Sequence, residues 1–245
     1  MILSVSWIVL LTVLGLQANT AAPEQTADAY IRALAPDERS EFIAKYAAAA
    51  WQYSGFIKFR QPPRTYLHCQ DEACHQDLAS LLAELRSRVP RAYGVQVSDP
   101  DSAEIEIYVA ADSQNFDRRD RSVDQRLHID AQMGSRFLVP PQPAPCVSNI
   151  YFEQEHWTIR KAMVFIDKGA SARMQSLCME FEVVRALGAI NIPIALFYHE
   201  LEKQPSFDPL PYLAANVFLH TSSELQAGDS MEKALTIFQD RYGVQ

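Results

Sequence analysis

Glycine is scarce in this chain of 245 residues, with 8 in total, and no internal repeat of roughly 20 to 50 residues is present. A flexible glycine-rich repeat protein is therefore excluded. Lysine and arginine form no cluster and the net charge is −8, whereas nucleic-acid binders usually present a basic face. The densest charged run, DRRDRSVDQR at 117–126, alternates in sign, and we interpret it as the solvated surface of a loop or helix.

Motifs that mark common enzyme classes are also missing. The chain has no G-x-S-x-G nucleophile elbow, no glycine-rich phosphate loop and no convincing pair of catalytic carboxylates. Beyond the first 22 residues, no stretch approaches the roughly 18 unbroken apolar residues of a membrane span. We therefore expect no cofactor, no nucleic-acid partner and no membrane span in the mature chain.

An apolar stretch near the N-terminus, SWIVLLTVLGL at 6–16, has the length of a signal-peptide core and is too short to cross a bilayer comfortably. Ala18 or Ala22 provides the small residue that precedes a cleavage site. We expect residues 1–22 to be a cleaved signal peptide and the protein to be periplasmic or secreted. An uncleaved anchor and a buried N-terminal helix are the alternatives.

Hydrophobic periodicity divides the mature chain into helices and strands. Helices are predicted over 24–53, 71–89, 171–187, 210–221 and 230–242, and strands over 56–60, 65–69, 104–110, 148–153 and 159–167. In EIEIYVA the alternation predicts a half-buried strand with Ile105, Ile107 and Val109 pointing inward. Several strands lack a crossover helix between them, which favours an α+β fold with a mixed, mostly antiparallel sheet packed against helices. We expect a helical segment at 23–54 and a single domain at 55–245.

Four cysteines suit an exported protein and allow three pairings. A Cys69–Cys74 disulfide would join a strand end to a helix start, and a Cys146–Cys178 disulfide would close a loop of about 33 residues. We favour these two disulfides. A zinc site through the first pair and its flanking histidines is the alternative, although the other cysteines show no matching spacing. A nucleophilic Cys178 is a further alternative, which an oxidising compartment disfavours.

The segment SLCMEFEVVRALGAINIP at 176–193 is similar to the motif helix of a zinc peptidase, which carries H-E-x-x-H before Leu-Gly. Alignment on the Leu-Gly pair places the following residues at the first histidine, the glutamate, the second histidine and the pair itself: Phe181, Glu182, Arg185, Leu187 and Gly188. Zinc needs lone pairs from His, Cys, Asp or Glu side chains. Phe181 has no donor atom and Arg185 is permanently cationic, so we expect no metal here.

A structural interpretation explains the same helix. Its core face has the spacing i, i+4, i+7 and i+11 and consists of Leu177, Phe181, Val184 and Gly188. Glu182 and Arg185 can form an ion pair at i, i+3 on the adjoining face, which would contribute about a few tenths of a kcal/mol if exposed. We favour this interpretation over an altered active site. If the protein is an enzyme, Glu182 is the candidate catalytic residue, with His199 or His220 as its partner.

Several segments together carry a family resemblance. They are IKFRQPP before the first strand, the EIEIYVA strand, the Cys146 loop before AMVFID, the pattern Cys178-x3-Glu182-x4-Leu187-Gly188-x2-Asn191, and the tail FLHTSSELQAGDSMEKAL. Their order over about 55–240 resembles the bacterial domain-of-unknown-function family twenty-nine twenty-seven. The chain departs from that family's pattern at Arg185, where members typically have glutamine, and at His220, where they tend to have tyrosine. The resemblance implies a zincin-like fold, export and a Cys146–Cys178 disulfide, and it implies no established activity.

These observations favour a secreted, non-catalytic zincin-like module with a binding or envelope-associated role. We expect it to bind in the groove where a peptidase would hold its peptide, and candidate partners are a peptide, a protein or a cell-envelope component. The alternative is a peptidase-like hydrolase with an atypical site around Glu182. A purely structural envelope protein is a third class.

Overall fold

The computed structural model describes residues 23–51, 55–69, 72–89, 95–127, 145–153, 155–190, 204, 206 and 208–244. The expected signal peptide at 1–22 therefore lies outside the described residues. Among the helices that are described, none is long and apolar enough to cross a membrane.

Two helices open the described chain, rather than the single helix predicted over 24–53. Helix α1 spans Pro23–Ala33 and helix α2 spans Pro36–Ala50. The break has a simple cause, because proline disfavours helical geometry in the residue before it but fits the first turn of a new helix. The Glu38 side chain then accepts a hydrogen bond from the backbone N–H of Ala35 at 3.1 Å, which helps to cap α2.

A four-stranded mixed sheet is described, with strand order β1-β2-β4-β3. Its strands are β1 (Thr65–Cys69), β2 (Ile105–Ala110), β3 (Cys146–Glu153) and β4 (Thr158–Asp167). The β1–β2 and β2–β4 pairs are parallel, and the β3–β4 pair is antiparallel. The mixed sheet packed against helices is thus confirmed. The predicted strand at 56–60 is reduced to one bridge between Lys58 and Thr158.

The expectation of a mostly antiparallel sheet is wrong, because two of the three described pairings are parallel. Helix α3 (Glu72–Arg88) lies between β1 and β2 in the chain. A helix of this length carries the chain back to the starting end of the sheet, so the two flanking strands run in the same direction. The short connection between β3 and β4 instead gives a hairpin, as the sequence predicted.

Helices cover both faces of the sheet. The remaining helices are α4 (Gln114–Leu127), α5 (Ala172–Ala186), α6 (Leu210–His220) and α7 (Met231–Tyr242). Helices α3, α5 and α6 contribute to the main apolar core on one face. On the other face, Phe116 and Val123 of α4 pack against Tyr108 and Phe165. All six residues of β2 are buried, so the prediction of a half-buried strand is corrected to one that is covered on both faces.

A second apolar cluster joins the N-terminal helices to the C-terminal ones. Ile31 of α1 and Tyr46 of α2 pack with Leu219 of α6 and Phe238 of α7. The rings of Tyr46 and Phe238 lie 5.8 Å apart in an edge-to-face arrangement, which aromatic pairs prefer. The segment before residue 51 is therefore held against the C-terminal helices by buried side chains.

Helix α5 begins and ends where the sequence predicts. The Ser171 hydroxyl accepts a hydrogen bond from the backbone N–H of Met174 at 3.2 Å and so caps the first turn. The helix is followed by Gly188, whose φ of 120° is in the region that favours glycine. Helix α7 is bounded in the same way by a capping Ser230 and by Gly243 with φ 64°.

A disulfide connects α5 to β3. Cys146, the first residue of β3, is bonded to Cys178 of α5 with Cα atoms 5.8 Å apart, which confirms the predicted pairing. Cys69 is also disulfide-bonded. The side chain of its predicted partner, Cys74, lies outside the described residues.

Removal of the Cys146–Cys178 disulfide is expected to destabilise the protein. The bond links residues that are 32 positions apart. Its loss frees that loop in the unfolded chain, so Cys178→Ser should lower the free energy of unfolding by about 2 to 4 kcal/mol. Urea denaturation measures the change, and wild-type protein unfolded in the presence of a reductant is the matched control. A variant as stable as the oxidised wild type would show that the bridge does not form.

Candidate functional site

Glu182, the glutamate of the motif helix, is enclosed by protein groups. Its side chain is 1% exposed and accepts a hydrogen bond from the Ser148 hydroxyl of β3 at 2.5 Å. The Arg185 guanidinium donates to its other oxygen at 3.0 Å. The i, i+3 pair predicted from the sequence is present, and it is largely buried. Helix α5 lies directly on the sheet, which buries the adjoining face as well as the core face.

The two positions that hold histidines in a zinc peptidase have structural roles here. Phe181 is buried in the main core. The guanidinium of Arg185 lies 5.5 Å from the centre of the Phe181 ring, and its Nε donates to the carbonyl oxygen of Ile190 at 3.1 Å. A cation at the end of a helix also interacts favourably with the helix dipole. Arg185 thus neutralises Glu182 and fastens the turn that follows α5.

Close packing explains the Leu-Gly pair of the motif. A Cβ atom at Gly188 would lie 2.3 Å from the carbonyl oxygen of Ile57 and 2.6 Å from Nε2 of His220. Both separations are too short for any residue with a side chain. The glycine of this motif is therefore required by the approach of α6 and of the segment around Ile57 to the end of α5.

His220, a sequence-predicted partner of Glu182, lies at this crowded junction. Its Nδ1 is 3.5 Å from the Tyr46 hydroxyl, and the backbone carbonyl groups of Ile57 and Leu187 also face the ring. Burial lowers the pKa of His220 to about 3, and the nearby Lys58 charge acts in the same direction. The imidazole is thus neutral at physiological pH. None of the described contacts joins it to Glu182, so the structure does not bring these two residues together.

Other predicted site residues are only partly described. The segment after the motif, 191–203, lies outside the described residues, and His199 with it. Metal ions are usually held by histidine, cysteine, aspartate or glutamate side chains. Within the described ranges, no three or more of these side chains lie close enough together to hold a metal ion.

Comparison with known families assigns the chain to one of them. The model of the family described as Protein of unknown function (DUF2927) matches residues 26–192, more than half of the chain. The chain belongs to the DUF2927 family. No curated protein and no solved structure matches it. The match covers the DUF2927 domain from α1 to the end of α5, so it begins nearer the N-terminus than the resemblance at 55–240 indicated.

A buried charged cluster that the sequence did not predict surrounds Glu106 of the DUF2927 domain. The Glu106 side chain is 0% exposed. Lys161 Nζ lies 2.6 Å from one of its oxygens, Arg119 Nη2 lies 2.9 Å from the same oxygen, and His68 Nε2 lies 2.9 Å from the other. Burial acts to raise the pKa of Glu106, but the hydrogen bonds from these three partners outweigh it and hold that pKa well below its usual range.

The Glu106 cluster connects three strands to α4. His68 belongs to β1, Glu106 to β2, Lys161 to β4 and Arg119 to α4. The Tyr108 hydroxyl donates to Glu106 at 3.0 Å, and the Tyr108 ring stacks on the His68 ring at 3.8 Å. Because protein donors occupy both carboxylate oxygens, the cluster is suited to positioning α4 and not to proton transfer.

Part of the charged run at 117–126 joins this cluster, whereas its exposed residues form the solvated helix face that the sequence indicated. The run at 117–126 forms part of α4, and its Arg119 is only 20% exposed because it turns in towards Glu106. Arg119 also pairs with Asp101 at 2.7 Å. A charged run with buried apolar residues in it and beside it at helical spacing, here Val123 and Phe116, indicates a helix that covers the sheet of the DUF2927 domain.

Proposed function

We propose that this DUF2927 protein is an exported, non-catalytic binding module with a zincin-like α+β architecture. The observation that carries the proposal is the enclosure of Glu182 between Ser148 and Arg185. In a zinc peptidase this glutamate must reach a metal-bound water. Here its oxygens accept from two protein donors, and its neighbours at the ligand positions are a hydrocarbon ring and a cation.

The architecture and the disulfide support the rest of the proposal. A peptidase-like motif helix, α5, packs on β3 and β4 of a mixed sheet, which is the basis for a zincin-like comparison. Disulfides such as Cys146–Cys178 persist in oxidising compartments, so this bond supports export, as does the apolar stretch at 6–16. A peptide, a protein or a cell-envelope component is the class of partner for such a module.

A glutamine at position 182 tests the proposal. Glu182→Gln keeps an acceptor for Ser148 but leaves the Arg185 guanidinium, which is 13% exposed, without its counter-charge. We expect the free energy of unfolding to fall by about 2 kcal/mol, because hydrogen bonds to charged groups have about this strength. We also expect neither protein to hydrolyse a panel of peptide and ester substrates. Turnover by the wild type that disappears in the folded variant would contradict a non-catalytic role.

Glu180→Gln, on the same helix, is the matched control. The Glu180 side chain is buried, and burial raises its pKa to about 7. Its hydrogen bond from Ser176 is long, at 3.3 Å. The neutral amide replaces a carboxyl whose charged form is disfavoured at this position. The free energy of unfolding of this variant should therefore be at least that of the wild type at neutral pH. Equal destabilisation by both variants would show that the Glu182–Arg185 pair has no special role.

A further inference from the structure

A cleft lies beside the end of α5, away from the Glu182 contacts. It has a volume of about 300 Å³ and is formed by the segment 58–63, by Leu187 and by the turn that follows α6. Ligand pockets have volumes from about 300 Å³ upward, so the cleft has room for a small molecule.

The charge of the cleft is of one sign. Lys58 and Arg60 line it, and no described acidic side chain does. Lys58 Nζ donates to the carbonyl oxygens of Ser222 at 3.1 Å and Leu225 at 2.9 Å. An ammonium group has three N–H donors, so these two carbonyls leave one for a ligand. Arg60 adds a planar guanidinium, a geometry that matches carboxylate and phosphate oxygens.

His220 supplies a buried polar atom to the wall of the same cleft. The residue is 1% exposed and it lines the cleft. The Tyr46 hydroxyl lies 3.5 Å from Nδ1 and can donate to it or accept from it, depending on the tautomer. The backbone carbonyl groups of Ile57 and Leu187 already face this imidazole, so it adds polarity to the wall and leaves the anion contacts to Lys58 and Arg60.

The other walls of the cleft are apolar. Phe59, Pro62, Pro63 and Leu187 contribute side chains without charge or hydrogen-bonding groups. A bare inorganic anion would leave this surface in water, whereas a ligand with a hydrocarbon body would cover it and gain from its burial.

We propose that this cleft binds a small organic anion, with a carboxylate or phosphate head group at Lys58 and Arg60 and an apolar body against Phe59 and Leu187. The inference rests on the proposed binding function and names its ligand class. The two head groups share the same donors, and the experiment distinguishes them.

Calorimetric titration of the full chain with ligands that share one hydrocarbon body tests the inference. Hexanoate and hexyl phosphate carry the two anionic head groups, and hexanol and hexylamine are the neutral and cationic controls. We expect at least one anion to bind and both controls to fail at concentrations up to about 10 mM. The tighter anion identifies the head group. Binding of hexanol as tight as that of the anions, or no anion binding at all, would overturn the proposal.

Two arginine variants locate the site. Arg60→Gln should weaken binding of the preferred anion by about tenfold or more, because a charge-assisted hydrogen bond is lost. Arg160→Gln removes an equivalent charge that pairs with Glu153 and lies outside the cleft, so it should leave the affinity unchanged. Equal affinities for wild type and Arg60→Gln would place the anion elsewhere and contradict the inference.

A hydrolysis assay separates this inference from the proposed function. Turnover of 4-nitrophenyl hexanoate that is abolished by Glu182→Gln would contradict the non-catalytic role while leaving an anion site at Arg60 in place. Absence of both turnover and anion binding would instead refute the ligand class alone.

Discussion

Replacement of Gly188 by alanine is expected to destabilise the protein by about 3 to 5 kcal/mol. Two effects add together. The φ of 120° is strained for any residue with a Cβ atom, and that atom would lie 2.3 Å from the backbone oxygen of Ile57. Backbone cannot rotate away as a flexible side chain can. Urea denaturation of the full chain measures the change in the free energy of unfolding.

Gly243→Ala is the matched control for this prediction. Gly243 also has a positive φ, 64°, but a Cβ atom there would have nothing within 4 Å. Only the backbone strain applies, so this variant should lose about 1 kcal/mol. If Gly188→Ala were no more destabilising than Gly243→Ala, Ile57 and α6 would not pack as closely against the end of α5 as the structure shows.

Neutralisation of Glu106 is expected to have an effect of similar size. Glu106→Gln leaves Lys161 and Arg119 without the carboxylate that both contact, and Lys161 is itself buried. Loss of one partner from a buried ion pair typically destabilises a protein by about 3 to 5 kcal/mol. The same denaturation measurement applies. Glu104→Gln is the control, because Glu104 pairs with a largely exposed Arg64 and its ion pair should contribute only about 1 kcal/mol.

The stabilisation by Glu106 should also depend on pH. Its pKa in the folded protein is below the ordinary value of 4.5, so the folded state binds a proton less readily than the unfolded state does. The stabilisation is therefore complete above that ordinary value and is lost as the pH falls towards the folded-state pKa. The stability difference between wild type and Glu106→Gln should shrink as the pH is lowered below 4.5. A difference that is constant or grows on acidification would contradict the ion-pair network.

Local signals in the sequence predicted much of α5 and of the C-terminal helices. Ser171 caps α5 and Gly188 ends it, as their residue types indicate, and α7 follows Ser230 as predicted. The sequence also indicated the β3–β4 hairpin and the Cys146–Cys178 disulfide, which joins β3 to α5 across 32 positions. The caps and ends of the helices depend on short-range geometry that one segment contains by itself.

Features that depend on distant segments were missed. The alternation in EIEIYVA places Glu106 on the face of β2 opposite its apolar residues. It does not show that α4 covers the face that carries Glu106. The parallel pairing of β1 with β2 depends on where α3 returns the chain. In the same way, the burial of His220 arises from packing among α2, α6 and the end of α5. No pattern in the residues around His220 indicates those contacts.

The zinc content of the full-length protein, purified from an oxidising compartment and measured with and without prior chelation, tests the central claim most directly. The claim is that the motif helix is a structural element whose glutamate is held by Ser148 and Arg185. It predicts far less than one zinc ion per chain and no change of stability on chelation. One tightly bound zinc ion per chain, released by chelation together with a hydrolytic activity, would contradict it.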